Sequence, residues 1–201
     1  HGLSLVPPKS ALWLDWRGER IGPMPLVTGY DTHDLVAQVC RQERGYSWQL
    51  LNRRIALKEL AVSGSEFNPS FRDQKRLAVA RDLLLGNRWL YEELTANCED
   101  IVVADTLPLL VERMNELVGD GSVDLDAVTE AATRYDERIE RGPRFHNDDQ
   151  LRRIEFARRW MGDRLRTCKF QKILDPKAGP LMAIREFIIS RKSMGGLQTD
   201  L

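Results

Sequence analysis

Neither sign of charge predominates in this chain. Thirty Lys+Arg face thirty Asp+Glu among 201 residues, for a formal net charge of zero. A chain without net charge has no global field to draw in nucleic acid or an anionic membrane, so no nucleic-acid partner is expected unless a local patch supplies one. Cysteine is scarce. The three present, Cys40, Cys98 and Cys168, are an odd, widely spaced set with no C-x-x-C pair, which is no disulfide framework. The three histidines, His1, His33 and His146, are scattered, so no metal site is expected. Free thiols point to a reduced, cytoplasmic setting. No apolar run approaches the roughly 20 residues of a membrane span. The first residue is His1, and no signal-peptide pattern follows it, so the chain reads as a piece of something longer or a processed product. There is no G-x-S-x-G nucleophile elbow. The only G-x-G, Gly119 to Gly121 in "GDGSVD", lacks a third glycine and follows a helical pattern rather than a strand, so it reads as a turn between helices.

What is present is the composition of a globular domain, with 42% hydrophobic and 30% charged residues. "ALWLDWRGER" alternates Leu12 and Leu14 with Trp13 and Asp15, which predicts a strand and a turn at Gly18. "IGPMPLVTGYD" is a loop, followed by a helix capped by Asp31 that carries Leu35, Val36 and Val39 on one face. "YSWQLLNRRIALKELAVSG" reads as a strand turning into a helix that ends at Gly64. Helices are expected over 72–85 and 88–98. "DIVVADT" is a short strand running into a cap at Asp105 or Thr106. Leu107, Leu110, Val111, Met114, Leu117 and Val118 then recur at helical spacing. Past "GDGS", Asp124 caps a partner helix with Leu125, Val128, Ala132, Tyr135 and Ile139 as its buried face, and Val123 is placed to staple onto Val128. The two helices are expected to pack as a hairpin. The fold class is α+β: a helix-dominated domain with a few short strands and extended terminal arms. Its parts are an arm at 1–10, a body at 11–178 and a return strand at 179–201.

Two stretches carry candidate chemistry. The helix at 149–166 is rich in Arg152, Arg153, Arg158, Arg159, Arg164 and Arg166, with Phe156 and Trp160 among them. That pattern fits a helical interaction or nucleic-acid-binding module, but Glu155 and Asp163 interrupt it, as in an ordinary solvated face. "RKSMGGLQTD" places Arg191 and Lys192 before the pair Gly195 and Gly196. Bare backbone lets a flat ligand approach closely, and the cations can hold an anion or stabilise developing negative charge. The same residues also fit a glycine bulge among surface cations.

Three stretches together resemble one family. "DTLPLLVERMNELVGDGSVDLDAVTEAATRYDERIERG" is similar to the helical pair in the cap domain of FAD-dependent dehydrogenases of the fumarate reductase/succinate dehydrogenase flavoprotein and 3-ketosteroid dehydrogenase-like group. "ALWLDWRGER" resembles the segment that opens that cap, and "GPLMAIREFIISRKSMGGLQTD" the return into the flavin domain. The resemblance implies the substrate-binding cap portion of an FAD-dependent oxidoreductase that moves hydride between a carbon substrate and flavin. It implies FAD in the full-length protein but not in this stretch alone, a small organic substrate, and the remainder of its own flavin-binding domain as partner. By position, Gly195 and Gly196 would lie against the flavin, Arg191 and Lys192 would face the substrate, and Tyr30 would fall in the proton-handling loop. This chain departs from the group in carrying Arg191-Lys192 where fumarate reductases have histidine, and Leu181-Met182 where the ketosteroid enzymes have an aromatic–tyrosine pair. The chain past Pro180 would therefore belong against an absent domain, and is expected to be displaced from the body or to dock on a neighbouring molecule.

Overall fold

The computed structural model describes residues 8–21, 37–64 and 67–187. Four strands form one antiparallel sheet: β1 (Leu12–Leu14), β2 (Tyr46–Asn52), β3 (Ile101–Ala104) and β4 (Leu181–Phe187), in the spatial order β1-β2-β4-β3. Around it lie α1 (Arg53–Glu59), α2 (Pro69–Arg72), α3 (Arg76–Leu85), α4 (Arg88–Asn97), α5 (Leu107–Val118), α6 (Leu125–Glu140), α7 (Asp149–Ala157) and α8 (Met161–Arg166). The α+β, helix-dominated reading holds.

The helical hairpin forms as its periodicity predicts. The Thr106 side chain accepts from the Leu109 amide to start α5, and Gly119, in the left-handed region at φ 76°, ends it. Asp124 accepts from the amides of Asp126 and Ala127 to start α6. Leu110, Met114, Val128, Ala132 and Tyr135 are all fully buried in one core that also holds Leu12, Leu14, Trp48 and Leu50 of the sheet. The hairpin crosses the sheet, α5 packing on β3 and β4 and α6 on β1. Val123 is buried as a staple should be, but Leu125 is exposed. Ala131, six residues further along, is buried instead. The turn after β1 docks on the start of α6. Gly18 sits at φ 97°, and a Cβ there would meet Val128 Cγ2 at 2.4 Å, so both backbone and space demand glycine.

Four sequence expectations need correction or completion. The helix expected over 72–85 is two helices, broken where Gln74 takes φ 52° and the Asp73 carboxylate gathers Arg72 and Lys75. The basic helix at 149–166 is also two, α7 and α8. Arg158 ends α7, and its guanidinium donates to the carbonyls of Arg164 and Thr167, folding the chain back. Of the helix capped by Asp31, only the turn at 37–40 lies within the described residues; there Val39 is buried against Trp13 and Ile21. The chain just past Pro180 is not displaced. Leu181–Phe187 is an inner strand, paired with β2 from Tyr46↔Phe187 to Asn52↔Leu181 and with β3 on its other side. Leu181–Ile184, bonded on both edges, satisfies its backbone within the sheet, which an expelled segment would leave to water.

Candidate functional site

Tyr30, Arg191, Lys192, Gly195 and Gly196 all lie outside the described residues. The structure does show where the segments that carry them are rooted. Arg20 bridges Leu14, and the Ile21 amide donates to the Trp13 carbonyl, so 20–21 adds a partial strand beside β1. The segment with Tyr30 follows Ile21. The segment with Arg191 to Gly196 follows Phe187, the last residue of β4. Ladder spacing puts these roots about 14 Å apart across the sheet and about 10 Å apart along it. Both segments therefore spring from one rigid sheet.

Between the roots the sheet has a polar face. Register places Trp13 beside Gln49, and Ser47 beside Glu186. Ser47 and Gln49 are each 1% exposed. The Trp13 indole Nε1 donates to Ser47 Oγ at 2.7 Å. Among the described residues both ends of the Gln49 amide lack a hydrogen-bond partner. Burial pushes the Glu186 carboxyl up to about 7, and the nearby Gln49 amide tempers that rise without reaching ordinary hydrogen-bond geometry. Buried amide groups normally find partners, so an unpaired Gln49 beside a carboxyl that titrates near neutrality is an unfinished polar site. Sequence reading passed over these residues. Their signal was the alternation within "YSWQLLN", which sends Ser47 and Gln49 to the opposite face from Trp48 and Leu50.

A second feature is a cleft of about 570 Å³ between the turn after β1, α6 and the start of α7. At its floor Asp148, buried, accepts from Arg20 Nη1 at 2.7 Å and from Arg138 Nη1 at 2.5 Å, and caps α7 through the Leu151 amide. Burial pushes this carboxyl up, but the two guanidinium groups and the amide outweigh it, and its pKa ends below the usual value. The Arg134 side chain is taken up by Glu130. With these charges spent on one another, the cleft offers order rather than a base poised for proton transfer.

Gly119 to Gly121 close the hairpin turn at a helix C-terminus, where carbonyls rather than amides are left over. Among the described residues no group of three or more His, Cys, Asp or Glu gathers, and no helix is long and apolar enough to cross a membrane. Cys40, Cys98 and Cys168 are all free thiols.

No protein-family model matches the chain. Over its whole length it is 38% identical to a KsdD-like steroid dehydrogenase of Mycolicibacterium smegmatis and 36% identical to one of Mycobacterium tuberculosis. It covers 36% and 35% of those two proteins, so the chain spans about a third of the length of the curated relatives it matches.

Proposed function

The chain belongs with the KsdD-like steroid dehydrogenases as a segment about a third of their length, and on that premise we propose that it is the substrate-binding cap of an FAD-dependent dehydrogenase acting on a steroid-like carbon substrate. The observation that carries this reading is the match across the whole chain to proteins named for steroid dehydrogenation. It is also supported by Ile21 and Phe187, from which the segments of Tyr30 and of Arg191 to Gly196 continue, belonging to one sheet.

In the longer protein the flavin would be held by the rest of the polypeptide, with Gly195 and Gly196 as backbone free of Cβ beside it. FAD, when bound, supplies hydride acceptance and donation. The chain's own residues would do the rest. Tyr30 would exchange the proton that accompanies hydride movement. Arg191 and Lys192 would hold an electronegative group of the substrate and favour the tyrosinate by their positive potential. Closure of the cap would exclude water from the cleft. The free thiols fit the cytoplasmic setting expected from the sequence.

The test uses the full-length protein, assayed for steroid dehydrogenation with an artificial electron acceptor. Tyr30→Phe is expected to retain the fold and the visible flavin spectrum while kcat falls by about 10²–10⁴-fold. Unchanged turnover in that variant removes Tyr30 from the mechanism. A full-length protein that carries no flavin removes the reading itself.

A further inference from the structure

A groove of about 470 Å³ runs along the outside of α1, away from the polar sheet face. Its floor is α1, which presents Arg53, Arg54 and Lys58, and Lys177 stands on one wall. Among the described residues no carboxylate lines it. Arg54 is already used: it donates to Gln171, Asp175 and the Lys177 carbonyl, and so fixes that wall to the floor. Among the described residues Arg53, Lys58 and Lys177 form no ion pair with a carboxylate, although Arg53 lies over the Tyr91 ring, 5.5 Å from its centroid, and Lys177 is within electrostatic reach of Asp175. Three such cations around one concavity repel one another, and an anion seated among them relieves that repulsion.

The walls are built closely. On one side Gly179, at φ 84°, meets the Arg53 stem, and a Cβ there would lie 3.0 Å from Arg53 Cβ. On the other, Gly86, at φ 91°, would bring a Cβ to 2.9 Å from Leu57 Cβ. Two glycines in a conformation that other residues rarely adopt thus hold both walls against the helix. α1 itself is pinned from behind. The Asn52 amide donates to the Lys172 and Ile173 carbonyls while its oxygen caps Ile55. Leu84 and Leu85, at the end of α3, are 68% and 79% exposed on the rim.

We infer that this groove binds a small amphiphilic organic phosphate, its phosphate among Arg53, Lys58 and Lys177 and its apolar part along Leu57, Leu84 and Leu85. Arginine suits phosphate through paired N–H donors, and lysine as a point charge. The exposed leucines favour an apolar tail over inorganic phosphate alone. This site is separate from the cap reading and stands without it.

The test is calorimetric titration of the full chain with octyl phosphate below its micellar concentration, beside inorganic phosphate and octyl glucoside. Octyl phosphate is expected to saturate one site at least about tenfold more tightly than inorganic phosphate, and octyl glucoside not to saturate. Lys58→Gln and Lys177→Gln should each weaken octyl phosphate about tenfold while the unfolding midpoint stays put. Arg53→Gln should do the same, and the two lysine variants decide the matter if its packing on Gly179 makes it unstable. Arg152→Gln, on the exposed face of α7, should change nothing. Absence of saturation at millimolar octyl phosphate overturns the inference. So does equal weakening by Arg152→Gln, which would reveal diffuse charge rather than a site.

Discussion

Asp148 ties the turn after β1 to the end of α6 and the start of α7, and its removal gives the sharpest test of the packing. The carboxylate is 3% exposed; Arg20 is 21% and Arg138 36% exposed at their side chains. Arg20 comes from the turn after β1, Arg138 from the last turns of α6, and Asp148 caps α7. Asp148→Ala leaves two guanidinium groups facing a void and strips the α7 cap. Breaking a buried pair costs roughly 3–5 kcal/mol, of which a lost cap is about 1. Partial exposure of both arginines lets water reach them, so the low end applies, about 3 kcal/mol. For a chain of this size that lowers the unfolding midpoint by roughly 6–12 °C. The folded-state pKa of Asp148 is lowered, so its contribution is complete above the unfolded value near 3.8 and is lost as pH falls through the folded value. Urea unfolding of Asp148→Ala and of the isosteric Asp148→Asn, measured from pH 7 down to pH 2, reads both effects. Wild type and Asp148→Asn should differ steadily near neutrality and converge in acid. A loss below about 1 kcal/mol at pH 7, or a difference that does not shrink in acid, would refute this account.

Two further outcomes follow from the core and the polar face. Leu110→Ala removes a fully buried side chain where α5 meets the sheet and should cost on the order of 2–5 kcal/mol in equilibrium unfolding, with the slope against denaturant unchanged. Glu186, raised to about 7 by burial, favours the fold while protonated and loses that contribution as pH rises from about 4.5 through 7. Glu186→Gln should therefore gain up to about 3 kcal/mol over wild type at pH 8 and nothing at pH 4, as read by unfolding midpoints across that range.

The hairpin was legible because its signals agree at every level: caps at Thr106 and Asp124, a left-handed glycine at Gly119, and a helical period between them. β1, β2 and β3 were legible from alternation and short apolar runs. The central position of β4 was not, because strand order depends on pairing partners far apart in sequence, here Trp48↔Arg185 and Val103↔Met182. The breaks at Gln74 and Arg158 were hidden for a related reason. Each is set by a side chain reaching backbone or charge that local propensity does not see. The polar residues Ser47 and Gln49, both buried, and the half-buried Glu186 were passed over because a lone polar residue in a strand ordinarily faces water. Here the register stacks them on one face.

That register bears on motion as well as on chemistry. The segment with Tyr30 hangs from the edge of β1, and the segment with Arg191 hangs from the end of β4. With 20–21 held on β1, moving one root against the other means parting β1 from β2, or β2 from β4. The first breaks the ladder from Leu12↔Leu50 to Leu14↔Trp48 together with the Trp13–Ser47 hydrogen bond, and also opens the Leu12 and Leu14 core. Each buried hydrogen bond is worth about 0.5–1.5 kcal/mol net, and each buried leucine about 1.5–3 kcal/mol, so the parting costs as much as unfolding much of the domain. Ile21, for as long as it stays bridged to β1, and Phe187 then move with one sheet. Amide hydrogen exchange followed through sub-denaturing urea distinguishes the cases. If the sheet moves as one, the protected amides of β1, β2 and β4 should converge on a single opening free energy as urea is raised. An independent, lower-energy opening of β1 would mean that the Tyr30 root is free to move alone, and that the sheet does not hold the two segments in register.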